Sequence, residues 1–222
     1  MKKFRTLLAS AAVAVGALFG AGQAQATLLG TIFHDYGSGA GLVAPTSLGG
    51  GNPCDVLNSN SVTVRSDTSG CGRFYDVFDF SSFSYDSIDH FVLTLDFSGA
   101  RNEVCLFGSC YERWAPRPAS STSNGSSQVA TYLNASGTQS WMFDNSLDVF
   151  NSIVTAESFY LWMSREVGMG VQSLTLNSAK LEVFGAEPQN TVPAPATLAL
   201  VALGLIGVGG LQRRRQRVSQ AA

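Results

Sequence analysis

The chain has 222 residues, 45% of them hydrophobic and 14% charged, with a formal net charge of −2. That sum hides an asymmetry, because Lys2, Lys3 and Arg5 open the chain, Arg213, Arg214, Arg215 and Arg217 lie near its end, and all 16 acidic residues fall between. The middle therefore holds seven basic groups against sixteen acidic ones, a net of −9, which repels phosphate backbones and excludes a nucleic-acid partner.

Residues 1–5 are cationic, 7–22 are apolar and small, and Ala24-Gln25-Ala26 follows. A charged region, an apolar region and an Ala-x-Ala site in that order mark residues 1–26 as a signal peptide, handled by the export translocon and signal peptidase. Cleavage after Ala26 leaves Thr27 as the mature N-terminus. The apolar stretch is short for a permanent span, and Gly16, Gly20 and Gly22 weaken it as a helix. No cysteine stands near the cleavage site, which excludes a lipid-modified N-terminus.

From Thr27 the pattern turns to short β-rich stretches broken by Gly, Ser, Asn and Pro. The clearest strand is 88–97, where Phe91, Leu93, Leu95 and Phe97 share one face and Val92, Thr94 and Asp96 the other. A period of two marks a strand with one buried face. Residues 73–80 alternate similarly, with Phe74, Phe78 and Phe80 on one side and Asp76 interrupting them. Further strands are expected at 28–34, 61–66, 103–107, 128–133, 138–143, 158–164, 171–176 and 179–184, with Asn177-Ser178 as a break between the last two. Residues 146–155 carry Leu147, Phe150 and Val154 at helical spacing, with Ser146 placed to cap. The run 116–127 begins Pro116-Arg117-Pro118 and continues Ser120-Ser121-Thr122-Ser123-Asn124-Gly125, so it reads as a mobile polar loop. About ten short strands joined by turn-rich links imply an all-β fold: a two-sheet β-sandwich, jelly-roll-like, with at most one short helix, over residues 27–185.

Cys54, Cys71, Cys105 and Cys110 are an even set in an exported chain, so disulfides are expected. Of the three possible pairings, Cys54–Cys71 with Cys105–Cys110 closes two short local loops, and Phe107-Gly108-Ser109 can turn within the second. A zinc site would call for closer pairs such as Cys-x-x-Cys, which are absent.

A linker, 186–191, leads to the tail at 192–217, and 218–222 trail it. Val192-Pro193-Ala194-Pro195 cannot propagate a helix, but the uncharged run 196–211 can form one, about 24 Å long and just short of a bilayer core. Arg213, Arg214, Arg215 and Arg217 follow as a cytoplasmic stop-transfer cluster. The implied topology is a domain outside and arginines inside, held by a transmembrane helix that is short and glycine-rich, hence a transient anchor.

The Val192-Pro193-Ala194-Pro195-Ala196-Thr197-Leu198-Ala199-Leu200 stretch, the Gly/Leu-rich run after it and the arginine cluster resemble a PEP-CTERM sorting signal. The resemblance implies processing by exosortase, a membrane protease-transpeptidase, in envelope-forming bacteria that make exopolysaccharide. It further implies transient anchoring in the inner membrane, then a place at the cell surface or outside the cell. One departure is Ala194, which stands where the family has a glutamate between the prolines. That implies slower processing or a variant enzyme. The tail says nothing about the domain's own chemistry, since fold and sorting are separable.

Candidate chemistry in the domain is sparse. His34 and His90 are the two histidines. His34-Asp35 can begin a dyad, but no Gly-x-Ser-x-Gly elbow accompanies it, and His90 falls on an outward strand position. Asp76 with Asp79, Asp86 with Asp89 and Asp144 with Asp148 supply the paired carboxylates a glycan hydrolase needs across a cleft. Each pair also reads as solvated strand-end charge. No catalytic constellation, cofactor motif or calcium loop is recognisable. Among the aromatics, Trp162 sits amid Phe159, Leu161 and Met163 and reads as core, whereas Tyr111 and Trp114 flank Glu112 and Arg113 beside a loop and form a sugar-platform candidate. The sequence thus points to a non-catalytic envelope or matrix protein associated with exopolysaccharide, with a secreted glycan hydrolase as the alternative.

Overall fold

The computed structural model describes residues 26–49, 54–66, 73–100, 104–105, 110–168 and 172–188. The elements in chain order begin with β1 (Thr27–Asp35), α1 (Thr46–Gly49), β2 (Val56–Leu57), β3 (Val62–Ser66), β4 (Tyr75–Asp79) and β5 (Ser87–Ser98). They continue with β6 (Val104–Cys105), β7 (Cys110–Ala119), β8 (Gly137–Asp144), α2 (Phe150–Ala156), β9 (Ser158–Gly168) and β10 (Gln172–Ala186). Every strand pairing is antiparallel, in two sheets. The larger runs β2-β3-β10-β5-β8, with β1 lying end to end with β3 along the same edge of β10. The smaller is β4-β9-β7, extended by the two-residue β6. This is the two-sheet β-sandwich that the alternation implied.

β5 shows why. Phe91, Leu93 and Leu95 are fully buried and Phe97 nearly so, while the residues between them are half-buried on the outer face. Burying each of those side chains contributes roughly 2 kcal/mol, which fixes the register, since a one-residue slip would turn all four outward. Across the core Phe159 of β9 packs on Phe91 at 5.6 Å and on Phe143 at 6.0 Å between ring centroids, and Phe150 of α2 meets Phe91 at 5.4 Å. Tilted aromatic pairs of this kind add to simple area burial.

Several expectations need correction. The described residues contain two helical segments, not one, since α1 forms a single turn ahead of β4. α2 begins at Phe150 rather than 146, with Val149 at its N-cap and no side-chain cap. Ser146 is spent in the preceding turn, where its N–H and hydroxyl both donate to Asp144 Oδ1. Asn177-Ser178 does not break the last strand. β10 runs through as one strand, with an irregularity in its pairing to β5 between Leu176 and Ser178. Residues 128–133 form no strand.

The largest miss is β7, whose second half was read as loop because of Pro116 and Pro118. Two prolines two residues apart point their missing donors to the same edge. That edge faces away from β9, where the carbonyls of Trp114 and Pro118 accept from Leu133 N–H and Ser126 N–H. An outer edge that needs no donors tolerates proline, and here the prolines also blunt it against further pairing.

Candidate functional site

Three places on the sandwich combine chemistry with position. The first joins the two sheets. His34 points inward from β1 and stacks on Phe78 at 4.5 Å. Asp76 has the parity of Phe74 and Phe78 on β4, so the residue that interrupts the apolar face is a buried inward carboxylate, 1% exposed. It accepts four hydrogen bonds: from His34 Nδ1 (2.7 Å), Tyr36 Oη (2.7 Å), Thr46 Oγ1 (2.9 Å) and Thr46 N–H (3.0 Å). Burial pushes its carboxyl up, but the His34 and Thr46 donors and the Tyr36 hydroxyl outweigh that and hold it below the usual range. The buried Tyr36 hydroxyl is driven well above its ordinary value, by desolvation first and the Asp76 charge second.

The partner of His34 is therefore Asp76 and not Asp35, which lies exposed on the other face of β1. A His–Asp pair of this length orients an imidazole as in hydrolases. Among the described residues, however, His34 Nε2 makes no hydrogen bond. The arrangement is a polar rivet between β1, β4 and α1.

The second place is the outer face of the smaller sheet. Trp162 is buried, as expected, but from outside the sandwich: Phe159, Leu161 and Met163 alternate with it and fill the core. Arg73 lies over its ring, guanidinium carbon 4.1 Å from the centroid. The loop also closes on this ring so tightly that a Cβ on Gly125 would fall 2.1 Å from the indole. Tyr75 and Tyr160 lie beside it, centroids 6.2 Å apart. The serine-rich run read as mobile is tied down. Arg117 grips both Glu166 oxygens at 2.7 Å and donates to the Ser126 carbonyl at 2.9 Å. Asp148 accepts from Ser126 Oγ at 2.6 Å and from Ser127 N–H at 2.8 Å. Arg73, exposed beside these aromatics, forms no ion pair among the described residues.

The third place is a groove of about 460 Å³ along β8, walled by residues 140–144 on one side and 128–131 on the other. Ser146 and Leu147 close one end.

The residues singled out by sequence are scattered among these features. Trp114 is 2% exposed in the core, which removes it as a stacking surface. Tyr111 lies in β7, paired with Val104, and its side chain lies outside the described residues. His90 is not freely solvated: it stacks on Phe184 at 4.6 Å and bonds Asp89 at 2.7 Å. Asp79 and Asp144 each accept local hydrogen bonds from serines, and Asp148 accepts from Ser126 and Ser127 across the loop. Cys54 is disulfide-bonded and Cys71 lies outside the described residues. Cys105 stands opposite Cys110 in the β6–β7 register. Thr27 begins β1, paired with Gly185. Ala24, Val192, Pro193, Ala194, Pro195 and the arginines 213–217 lie outside the described residues, as does the apolar run 196–211. Among the described residues no helix is long and apolar enough to cross a membrane, and no three His, Cys, Asp or Glu gather as a metal site.

What the sequence reading missed is Arg73 with Tyr75. The signal was their shared outward parity with Trp162, which becomes visible only once β4 and β9 are paired. Residues 191–215 match the family model of the PEP-CTERM protein-sorting motif. No curated protein matches the chain.

Proposed function

We propose that this is an exported, non-catalytic envelope or matrix protein, sorted by an exosortase-like membrane protease and associated with exopolysaccharide through the outer face of the smaller sheet. The sorting half rests on the tail match at 191–215. The signal peptide 1–26 delivers the chain to the translocon and signal peptidase, and the run 196–211 anchors it in the inner membrane until the tail is cut. The binding half rests on Arg73, an exposed cation held over Trp162 beside the Tyr75–Tyr160 pair. Flat aromatic surface stacks on sugar rings, and a guanidinium pairs bidentately with a uronate carboxylate. The Cys105–Cys110 pairing is supported by their register, because opposed residues in an antiparallel ladder lie roughly 4.5–5.5 Å apart at Cα, within disulfide range. Cys54 then pairs with Cys71.

Intact mass of the protein from its native host, with and without the exosortase gene, tests the sorting half. The expected result is loss of both termini in the normal strain, retention of the arginine tail in the deletion strain, and one hydrogen missing per cysteine. An arginine tail retained in both strains would make the protein a simple single-span protein, with Ala194 the first suspect. For the binding half, Arg73→Gln and Tyr160→Ala are expected to weaken retention on the host's own exopolysaccharide about tenfold. Unchanged retention would refute the surface.

A further inference from the structure

A sheet edge invites pairing unless something blunts it, and natural proteins use short strands, prolines, bulges, charges or cover to do so. The edges of this sandwich carry such devices, with one exception. β2 and β6 are two residues long. β7 has Pro116 and Pro118. β4 has Asp76 and Asp79, with α1 docked on Asp76. β1 is irregular between Leu28 and Gly30, and Phe83 is seated against Gly30.

β8 closes the larger sheet at its other side; it is neither short, bulged nor interrupted by proline, and the segment 128–131 stands beside it across a groove. The strand is eight residues long, pairs with β5 without a register shift, contains no proline and has no charge before its last residue, Asp144. Met142, in its middle, is 64% exposed.

The groove lies along that edge. Its β8 wall is made of five consecutive residues, 140–144, which include both the core-facing Trp141 and Phe143 and the outward Ser140 and Met142. A cavity on either sheet face would be lined by alternate residues only. This one therefore follows the backbone edge. The opposite wall, 128–131, is chain outside any strand or helix. It is pinned by Trp141 Nε1 donating to the Thr131 carbonyl at 3.0 Å and Gln139 Nε2 donating to the Tyr132 carbonyl at 3.2 Å. Among the described residues the peptide groups of Val129 and Ala130 make no hydrogen bond. The space is bounded by strand β8 and by this segment, and spans roughly 13 Å along β8, the length of about four extended residues.

We propose that this groove receives an extended polypeptide segment of another protein, which adds to the larger sheet as a strand beside β8. Main-chain hydrogen bonds to β8 supply affinity, and alternate side chains pack between Met142 and Val129. A second copy of this chain fits poorly, because the 128–131 wall of each copy would stand where the other's edge must come, and each domain carries a net −9 between its basic ends. The fitting partner carries basic residues beside its strand, complementary to that charge and to Asp144 at the groove's end.

The test uses the mature exported chain, 15N-labelled, titrated with the peptide Ac-Lys-Thr-Val-Thr-Val-Thr-NH2 and followed by amide shifts. Saturable shifts confined to 128–131 and 137–147 are expected. N-methylation of one alternate set of peptide nitrogens should weaken binding at least tenfold, while methylating the other set changes it little. No shifts at about 1 mM peptide, equal effects of both N-methylation patterns, shifts produced by a neutral oligosaccharide instead, or a β8-mediated dimer that excludes the peptide would each overturn the proposal.

Discussion

Replacing Asp76 by alanine removes the acceptor shared by His34, Tyr36 and Thr46. The Tyr36 hydroxyl then has no route to water, since Tyr36 is fully buried. An orphaned buried donor costs about 1–3 kcal/mol. His34 is about one-fifth exposed and Thr46 is exposed, so both recover part of their loss by hydration. The sum is about 3–4 kcal/mol, a large share of the 5–15 kcal/mol typical of a domain. At an ordinary urea slope of about 2 kcal/mol per molar, the midpoint should fall by roughly 1.5–2 M with the slope itself unchanged. Tyr36→Phe should cost only about 1 kcal/mol in the parent, and in the Asp76→Ala background it should restore about 1 kcal/mol or more, because it removes the orphaned hydroxyl. The depressed carboxyl adds a pH signature. Its stabilisation is complete above the unfolded value near 3.8 and is lost as pH falls through the lower folded value. The alanine variant should lack that acid limb. Urea melts followed by tryptophan emission at pH 7 and at acid pH read all of this. A loss below 1 kcal/mol, or strict additivity of the Tyr36 and Asp76 changes, would refute the reasoning.

Asp55 should act with the opposite sign. Burial pushes its carboxyl up to about 6, against a smaller pull from the Arg65 N–H. An acid raised in the folded state loses stability as pH climbs from about 4 to above 6, here by about 2 kcal/mol after allowance for partial solvent access. Asp55→Asn should flatten that slope in the same melts, and an unchanged slope would discard the assignment. Arg117→Met should cost about 2 kcal/mol by breaking the bidentate Glu166 pair and freeing the Ser126 carbonyl, with faster amide exchange across residues 120–127. Exchange that stays as slow as in the parent would mean Asp148 alone holds the loop.

Legibility in the sequence followed periodicity. β5 was readable because four large apolar residues alternate without interruption, and each of them is buried. β7 was not, because proline argues against a strand unless its neighbours are known, and only the pairing with β9 shows that Pro116 and Pro118 face a free edge. Asp76 looked like noise in an apolar face, whereas its parity was itself the signal of an inward polar group needing partners. Those partners lie some 30–40 residues away, beyond any local pattern. Trp114 was taken for surface because it stands among charges. It shares the parity of the buried Pro116 and Pro118 in β7, and the indole lies in the core.

β10 pairs with β1, β3 and β5, so the last strand of the domain is the hub of its larger sheet. Its far end meets the first residue of the first strand, Thr27 opposite Gly185. A chain delivered across a membrane from its N-terminus presents β1 first and must hold it unpaired until nearly 150 residues later, when β10 arrives. The sheet cannot close before then. Completion of the fold coincides with emergence of the segment that follows Ala186. Once formed, the β1–β10 ladder sets Thr27 and Gly185 side by side at one corner of the sandwich, so the strands that open and close the domain leave it from the same corner.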